Sequence, residues 1–100
     1  MTEIKFQNEN SHFFIGLSGH AGDTRVCACC SLLSTMVAQL ITDSEIKDIN
    51  EMKMEAGECI FDFDTKNASY LDSQMYTILR GFELLANEYP ENVHLSSFED

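Results

Sequence analysis

The sequence predicts an α+β fold in which two helices cover one face of a sheet. Two pairs of short segments alternate apolar and polar residues with the period of two that half-buried strands show. Each pair is followed by a longer segment whose apolar residues recur at helical spacing. The order ββαββα, with a short turn in each strand pair, is typical of a two-layer sandwich with an antiparallel or mixed sheet. No repeat or linker interrupts this order, so we interpret residues 1–100 as one domain.

The first half of the chain supplies the first strand pair and the first helix. The strands lie on either side of a turn at 8–11, and residues 18–24 hold two glycines without apolar periodicity, which predicts a loop. A helix over 25–41 follows. The apolar strand positions are Ile4, Phe6, Phe13, Ile15 and Leu17, and the predicted core stripe of the helix is Val26, Cys29, Leu33, Met36, Val37 and Leu40.

The second half repeats the pattern. Met52, Met54 and Ala56 alternate with charged residues in a third strand, and Gly57 turns the chain into a fourth strand. A long helix runs from Leu71 to Tyr89 and is stopped by Pro90, and a short final strand is predicted over 93–95. The fourth strand places Cys59, Phe61 and Phe63 on one face.

The chain is strongly acidic, with 17 acids against six bases and a formal net charge of -11. This charge argues against nucleic-acid binding, which depends on Lys and Arg contacts with phosphate, and against anionic membranes. It would attract a basic partner at long range, although it is also compatible with a role in solubility alone.

The N-terminal residues lack the apolar segment of a secretion signal, and the weakly polar stretch over 26–41 is interrupted by Ser, Thr and Gln. We therefore expect a cytoplasmic protein that spans no membrane. In that compartment its four cysteines, Cys27, Cys29, Cys30 and Cys59, are expected to be reduced thiols.

Cys27 lies in the first turn of the predicted first helix. Asp23 or Thr24 can cap that helix, Arg25 adds a cation, and the unpaired N–H groups of a helix start favour a thiolate and can bind an oxyanion. The helical phase turns Cys27 away from the predicted stripe, whereas Cys29 lies inside it and Cys30 at its edge. Cys59 is predicted to face the core. Cys27 is therefore the candidate nucleophile, and an exposed but inert cysteine is the alternative.

His20 is the candidate base. It follows the second strand directly and precedes Cys27 by seven residues, and a strand end and the next helix start share one edge of such a layer. The imidazole can then reach the thiol and pass protons. A loop histidine without a task is the alternative. His12 and His94 are expected at the surface.

Two other uses of the cysteines compete. Cys27, Cys30 and His20 offer three zinc ligands, but a structural site needs a fourth, and no second paired motif exists. A Cys27-x-x-Cys30 redox pair would be expected in a βαβ unit, not in ββα. We predict no metal and no cofactor.

Gly19-His20-Ala21, followed by Val26-Cys27-Ala28-Cys29-Cys30-Ser31 at a helix start, resembles the ribosomal-processing cysteine protease (Prp) family. The resemblance extends over nearly the whole chain, including the ending Glu88 to Val93. It implies a homodimeric thiol protease of this fold, in which His20 matches the catalytic histidine and Cys27 the nucleophile. Gly19 and Ser31 match supporting positions. Ala21, Asp23, Thr24 and Arg25 of the connecting loop are further candidate substrate-binding or supporting residues.

The resemblance also implies a substrate. Family members remove the N-terminal extension of a large-subunit ribosomal protein, cutting after paired aromatic residues and before a small one, and such a substrate is very basic. Two features differ from the family: its loop between His and Cys is several residues longer, and it has Asp-Ile-Val where this chain has Thr24-Arg25-Val26, with Asp23 one place early. The alternative function is a non-catalytic binding module of the same fold that recognises a basic ribosomal segment.

Overall fold

The computed structural model describes residues 1–97 and confirms the predicted α+β fold. Its elements in chain order are β1 (Thr2–Glu9), β2 (His12–Ser18), α1 (Thr24–Asp43), β3 (Ile49–Glu55), β4 (Glu58–Asp64), α2 (Leu71–Glu88) and β5 (Val93–Ser97). The final strand is thus present and is longer than the sequence predicts.

The five strands form one mixed sheet in the order β3-β4-β2-β1-β5. The two hairpins are antiparallel and are joined by an antiparallel β2–β4 pair, whereas β5 returns beside β1 in the parallel sense. The register of the central pair sets Ser18 opposite Glu58. Because β2 ends there and β4 begins there, the loop after β2 lies beside the β3–β4 turn.

A single apolar core fills the space between the sheet and the two helices. Ile15 of β2 lies opposite Phe61 of β4, and Phe13 opposite Phe63, so their side chains share the face that the helices cover. Met75, Ile78 and Phe82 of α2 belong to the same buried cluster. The apolar alternation of β1, β2 and β4 therefore predicts the buried face of the sheet correctly, whereas the predicted apolar residues of the third strand, Met52, Met54 and Ala56, are exposed.

The buried stripe of α1 differs from the prediction. Its buried residues are Val26, Cys30, Ser34, Val37 and Ile41. Leu33 and Leu40 are only partly buried, and Cys29 and Met36 are exposed, so the predicted core positions of these last two residues are wrong. The helix is apolar on most of its circumference, and the pattern alone did not fix which side faces the sheet.

By length and composition alone, α1 would also pass for a membrane-spanning helix, with a mean hydropathy of 1.5 over its most apolar window. Core helices pass the same test. In the structure 28% of that window is buried, and four of the five buried residues of α1 belong to the shared apolar cluster.

Candidate active site

Three parts of the fold meet at one cleft of about 210 Å³. They are the loop after β2, the first turns of α1 and the β3–β4 turn. Both predicted chemical groups, His20 and Cys27, line this cleft together with Gly19 and Ser31. The remaining lining residues are Thr2, Leu17, Cys30, Ser34, Glu55, Ala56, Gly57, Glu58 and Cys59.

The β3–β4 turn holds His20 from one side. The N–H of Gly19 donates a hydrogen bond of 2.9 Å to the carbonyl of Gly57, which ties the two loops together. A Cβ on Gly57 would lie 2.9 Å from Nε2 of His20, closer than real Cβ contacts allow. Gly57 also has φ +82, which glycine adopts without strain. Because Gly57 has no side chain, the imidazole of His20 can lie directly against the β3–β4 turn.

Gly19 is fitted to its position in a similar way. Its φ is +90, and a Cβ would collide with the carbonyl oxygen of Met1 at the beginning of the chain. Both the conformation and the close backbone approach require glycine here. The residue before His20 therefore fixes the direction in which the loop leaves β2.

Of the two candidate caps, Asp23 and Thr24, it is Asp23 that caps α1. Its side chain accepts hydrogen bonds from the N–H groups of Arg25 (2.8 Å) and Val26 (3.4 Å). The Arg25 guanidinium and these N–H groups lower the pKa of the Asp23 carboxyl. Thr24 is the first residue of the helix and is exposed.

This capping changes the expectation for an oxyanion site. The N–H groups of Arg25 and Val26 are taken by the Asp23 carboxylate, and that of Cys27 donates to the Asp23 carbonyl at 2.9 Å. The helix start thus contributes its dipole, but these three N–H groups are not free to bind an oxyanion.

The four thiols have different surroundings. Cys27 is half-buried at the cleft, and Cys59 is half-buried against the core cluster. Cys30 is buried, and burial raises its pKa to about 11, with a smaller contribution from the neighbouring thiols. It therefore stays protonated at neutral pH. Cys29 is exposed and lies outside the cleft, where it lines a shallow groove between the two helices.

The other loop residues surround the cleft without lining it. Ala21 is buried, and its carbonyl accepts a hydrogen bond of 2.7 Å from the amide of Asn92 beside β5. This bond anchors the middle of the loop to the rest of the fold. Arg25 is exposed and faces its partner Asp23 at 3.4 Å.

The predicted surface histidines are paired with acids. His12 is half-buried, with Nε2 2.5 Å from Asp62, and His94 is exposed, with Nδ1 2.9 Å from Glu3. Neither lines the cleft. Among residues 1–97 no three His, Cys, Asp or Glu side chains are grouped as metal ligands would be.

Sequence reasoning missed the contribution of the β3–β4 turn, where Glu55, Gly57 and Glu58 line the cleft. The chain pattern indicates a turn at Gly57, but only the β2–β4 register sets that turn beside His20. The same register also places Cys59 at the cleft, because Cys59 lies opposite Leu17 near the end of β2.

Comparison with known proteins gives a fold relationship. No family model and no curated protein matches the chain. A structure of the essential ribosomal processing protease Prp from S. aureus, in complex with a covalently linked product peptide, is similar with a TM-score of 0.79 and 23% identity. The match covers 97% of this chain and 99% of that chain.

Two further structures are similar over most of their length. The S. aureus protease in complex with a substrate peptide has a TM-score of 0.77 and 20% identity, with 97% of this chain and 99% of that chain covered. SMU.848 from Streptococcus mutans has a TM-score of 0.72 and 24% identity, with coverage of 97% and 93%. The resemblance that two short motifs indicate is thus confirmed at the level of the fold, which is that of the ribosomal processing protease Prp.

Proposed function

We propose that this protein is a cysteine endopeptidase that removes the N-terminal extension of a large-subunit ribosomal protein. The observation that carries the proposal is the meeting of His20 and Cys27 in one cleft, within a fold shared with a protease. Similar structures hold a substrate peptide and a covalently linked product peptide, which supports peptide binding at this fold.

In the proposed reaction, the Cys27 thiolate attacks the carbonyl carbon of the scissile peptide bond. A C–S bond forms, and the carbonyl oxygen becomes an oxyanion. When the C–N bond breaks, protonated His20 gives its proton to the leaving amine. Neutral His20 then takes a proton from water, and the resulting hydroxide cleaves the thioester and regenerates the thiolate and the imidazolium.

In this scheme the oxyanion forms at the positive end of the α1 dipole, whereas the N–H groups of Arg25 and Val26 are engaged by Asp23. Asp23 therefore acts by fixing the helix start and not by contacting substrate.

We propose a basic, lysine- and arginine-rich substrate met in the cytoplasm. Glu55 and Glu58 line the cleft, and the chain carries a net charge of -11, which favours encounter with such a segment.

The working unit is proposed to be a homodimer. Leu32 and Leu84 remain 63% and 57% exposed on the two helices, an apolar surface that association of two copies would cover. Light scattering at several concentrations measures the mass of the unit.

Peptide cleavage tests the proposal. The substrate is a synthetic peptide with lysines on both sides of two adjacent phenylalanines followed by alanine, and mass spectrometry identifies the products. We expect one cut, after the second phenylalanine. Cys27→Ala and His20→Ala should each abolish the cut and leave the thermal melt nearly unchanged, because His20 is exposed and Cys27 is only partly buried against the core.

Cys29→Ala is the matched control, since it removes a thiol from the same helix outside the cleft. It should cleave at the wild-type rate. Cleavage that survives Cys27→Ala would contradict the proposed nucleophile.

The second candidate function is a binding module without catalysis. Only six residues, 21–26, separate His20 from Cys27, and this short connection is the observation that favours it. In that case the wild-type protein binds the same peptide and leaves it intact.

A further inference from the structure

β3 is an edge strand of the sheet. It pairs with β4 on one side, and among residues 1–97 no strand or helix pairs with its other side. An edge strand offers unpaired N–H and C=O groups to any extended segment that can lie beside it. Such an edge next to a cleft is a place where an extended peptide can be held by its backbone.

The β3–β4 turn determines which backbone groups face outward. Glu55 and Glu58 flank a two-residue turn, and in such hairpins the flanking pair exchanges both hydrogen bonds. Hydrogen-bonded and non-hydrogen-bonded pairs alternate along an antiparallel ladder. The backbone of Lys53 therefore also forms hydrogen bonds with β4, while Met52 and Met54 direct their N–H and C=O groups away from β4. The outer edge of β3 therefore presents the backbone of Met52 and Met54.

The side chains of these methionines lie on the side of the sheet that contains the helices. Met52 lies opposite Phe61, which is fully buried, and Met54 lies opposite Cys59, which lines the cleft. Nevertheless Met52 and Met54 are 43% and 45% exposed. Apolar, adaptable thioether side chains make favourable contacts with aromatic rings. This edge thus offers apolar contacts on the same side as the cleft.

The edge is continuous with the cleft. Glu55, the last residue of β3, lines the cleft, and so do Ala56 and Gly57 of the turn beside His20. An extended segment that pairs with Met54 therefore lies next to residues that line the same cleft as His20 and Cys27.

The charge of this hairpin suits a basic segment. Lys53 is already paired with Glu58 and with Glu55, the latter at 3.7 Å, and these carboxylates raise the pKa of its ammonium group. Glu51 adds a further acid on the strand. The cleft is lined by two glutamates and no lysine or arginine. The local excess of negative charge favours a segment rich in Lys and Arg.

We propose that β3 binds the substrate as an added strand. The basic, aromatic-containing segment pairs with the backbone of Met52 and Met54, and its aromatic rings lie against their thioether side chains. This proposal rests on the proposed function, since it assigns the binding surface of the same site. In this proposal the outer edge of β3 orients the peptide before Cys27 attacks it.

Binding to the Cys27→Ala variant isolates this step from chemistry. The probe is the lysine-flanked diphenylalanine peptide, and its dissociation constant and the amide hydrogen exchange of β3 are measured. We expect the peptide to slow the exchange of the Met52 and Met54 amides. A set of peptides each N-methylated at one position should bind with alternately weakened and unchanged affinity along the chain, because only every second N–H of the added strand faces β3.

Met54→Pro removes one outward N–H without breaking the β3–β4 ladder, since proline is accepted on edge strands. It should weaken binding by about fivefold to tenfold, as the loss of one hydrogen bond and its contacts predicts. Met36→Ala is the control, because it removes a thioether side chain that is also 43% exposed but lies on α1, outside the proposed surface, and it should leave binding unchanged.

The outcomes separate this inference from the proposed function. Cleavage by the wild-type protein, with no alternating effect of N-methylation and no protection of Met52 and Met54, would overturn the β3 inference alone. Protection of these amides without cleavage would support it and contradict the protease proposal. Slow exchange of the Met52 and Met54 amides in the absence of peptide, together with a doubled molecular mass, would show that a second copy occupies the edge of β3. That result would overturn the inference.

Discussion

Cys27 and Cys29 lie two residues apart on one helix and face different surroundings. Cys29 is the more exposed, and Cys27 is half-buried in the cleft that His20 also lines. The apolar pattern predicts the reverse for Cys29, because Val, Cys, Leu and Met occur on nearly every side of α1 and leave its phase open. The sheet-facing line from Val26 through Cys30 and Ser34 is set by packing, and it includes a serine that the pattern counts as polar.

Cys30 gives a test of the structure at the level of one residue. Its folded pKa is raised to about 11, chiefly by burial, whereas an unfolded thiol titrates near 8.5. The unfolded state therefore loses its proton first as pH rises. The stability that comes from the neutral buried thiol is complete below about pH 8.5 and is lost between there and about pH 11.

Cys30→Ala should therefore lose less stability than the wild-type protein over this pH window, as measured by urea unfolding across it. Cys29→Ala, which changes an exposed thiol, should follow the wild-type curve. Parallel curves for all three proteins would show that Cys30 is not buried.

At the level of elements, the position of the β3–β4 turn beside His20 is the part of the site that the sequence did not predict. The sequence indicates all five strands, with the last shorter than observed, and the buried face of β1, β2 and β4, and helical spacing indicates both helices. The pairing of β2 with β4 is a contact between strands 40 residues apart, for which no local pattern gives a signal. The loop motif with His20 and the helix start with Cys27 are local, and for that reason they are visible in the sequence.

Gly57→Ala tests whether this turn positions His20. The added methyl group would meet Nε2 of His20, so we expect kcat for the diphenylalanine peptide to fall by at least about tenfold, with KM nearly unchanged. Gly22→Ala is the matched control. Its φ of +80 imposes similar backbone strain, but its nearest neighbour is the Asn92 amide at 4.0 Å. Equal loss of kcat in both variants would show that backbone strain, and not His20, is responsible.

Ser34 tests the packing of α1 against the sheet. It is 1% exposed, and its hydroxyl has no hydrogen-bond partner among the described residues. Because an unpaired buried hydroxyl costs roughly 1 kcal/mol or more, Ser34→Ala should leave the free energy of unfolding unchanged or raise it by about that amount. A loss of stability in thermal and urea melts would reveal a bond to that hydroxyl.

At the scale of the whole molecule, the acidic charge should act on encounter. Exposed charges on an acidic enzyme speed the association of a basic substrate more than they strengthen its bound state. Screening shortens their reach from ~30 Å at 0.01 M salt to ~8 Å near 0.15 M. We therefore expect kcat/KM for the lysine-flanked peptide to fall as salt rises, while kcat stays constant.

A neutral peptide with the same two phenylalanines, in which serines replace the lysines, is the control for this salt effect. It should show little dependence on salt. Equal salt dependence for both peptides would mean that the charge of -11 serves solubility and not recognition.

Active-site labelling tests most directly whether Cys27 and His20 form the working pair. A chloromethyl ketone on a diphenylalanine peptide reacts with a thiolate, so that an S–C bond forms and chloride leaves, and peptide mapping identifies the modified cysteine. We predict one equivalent of label on Cys27, none on the more exposed Cys29, and much slower labelling in His20→Ala. Labelling of Cys29 first, or equal rates with and without the His20 imidazole, would contradict the account.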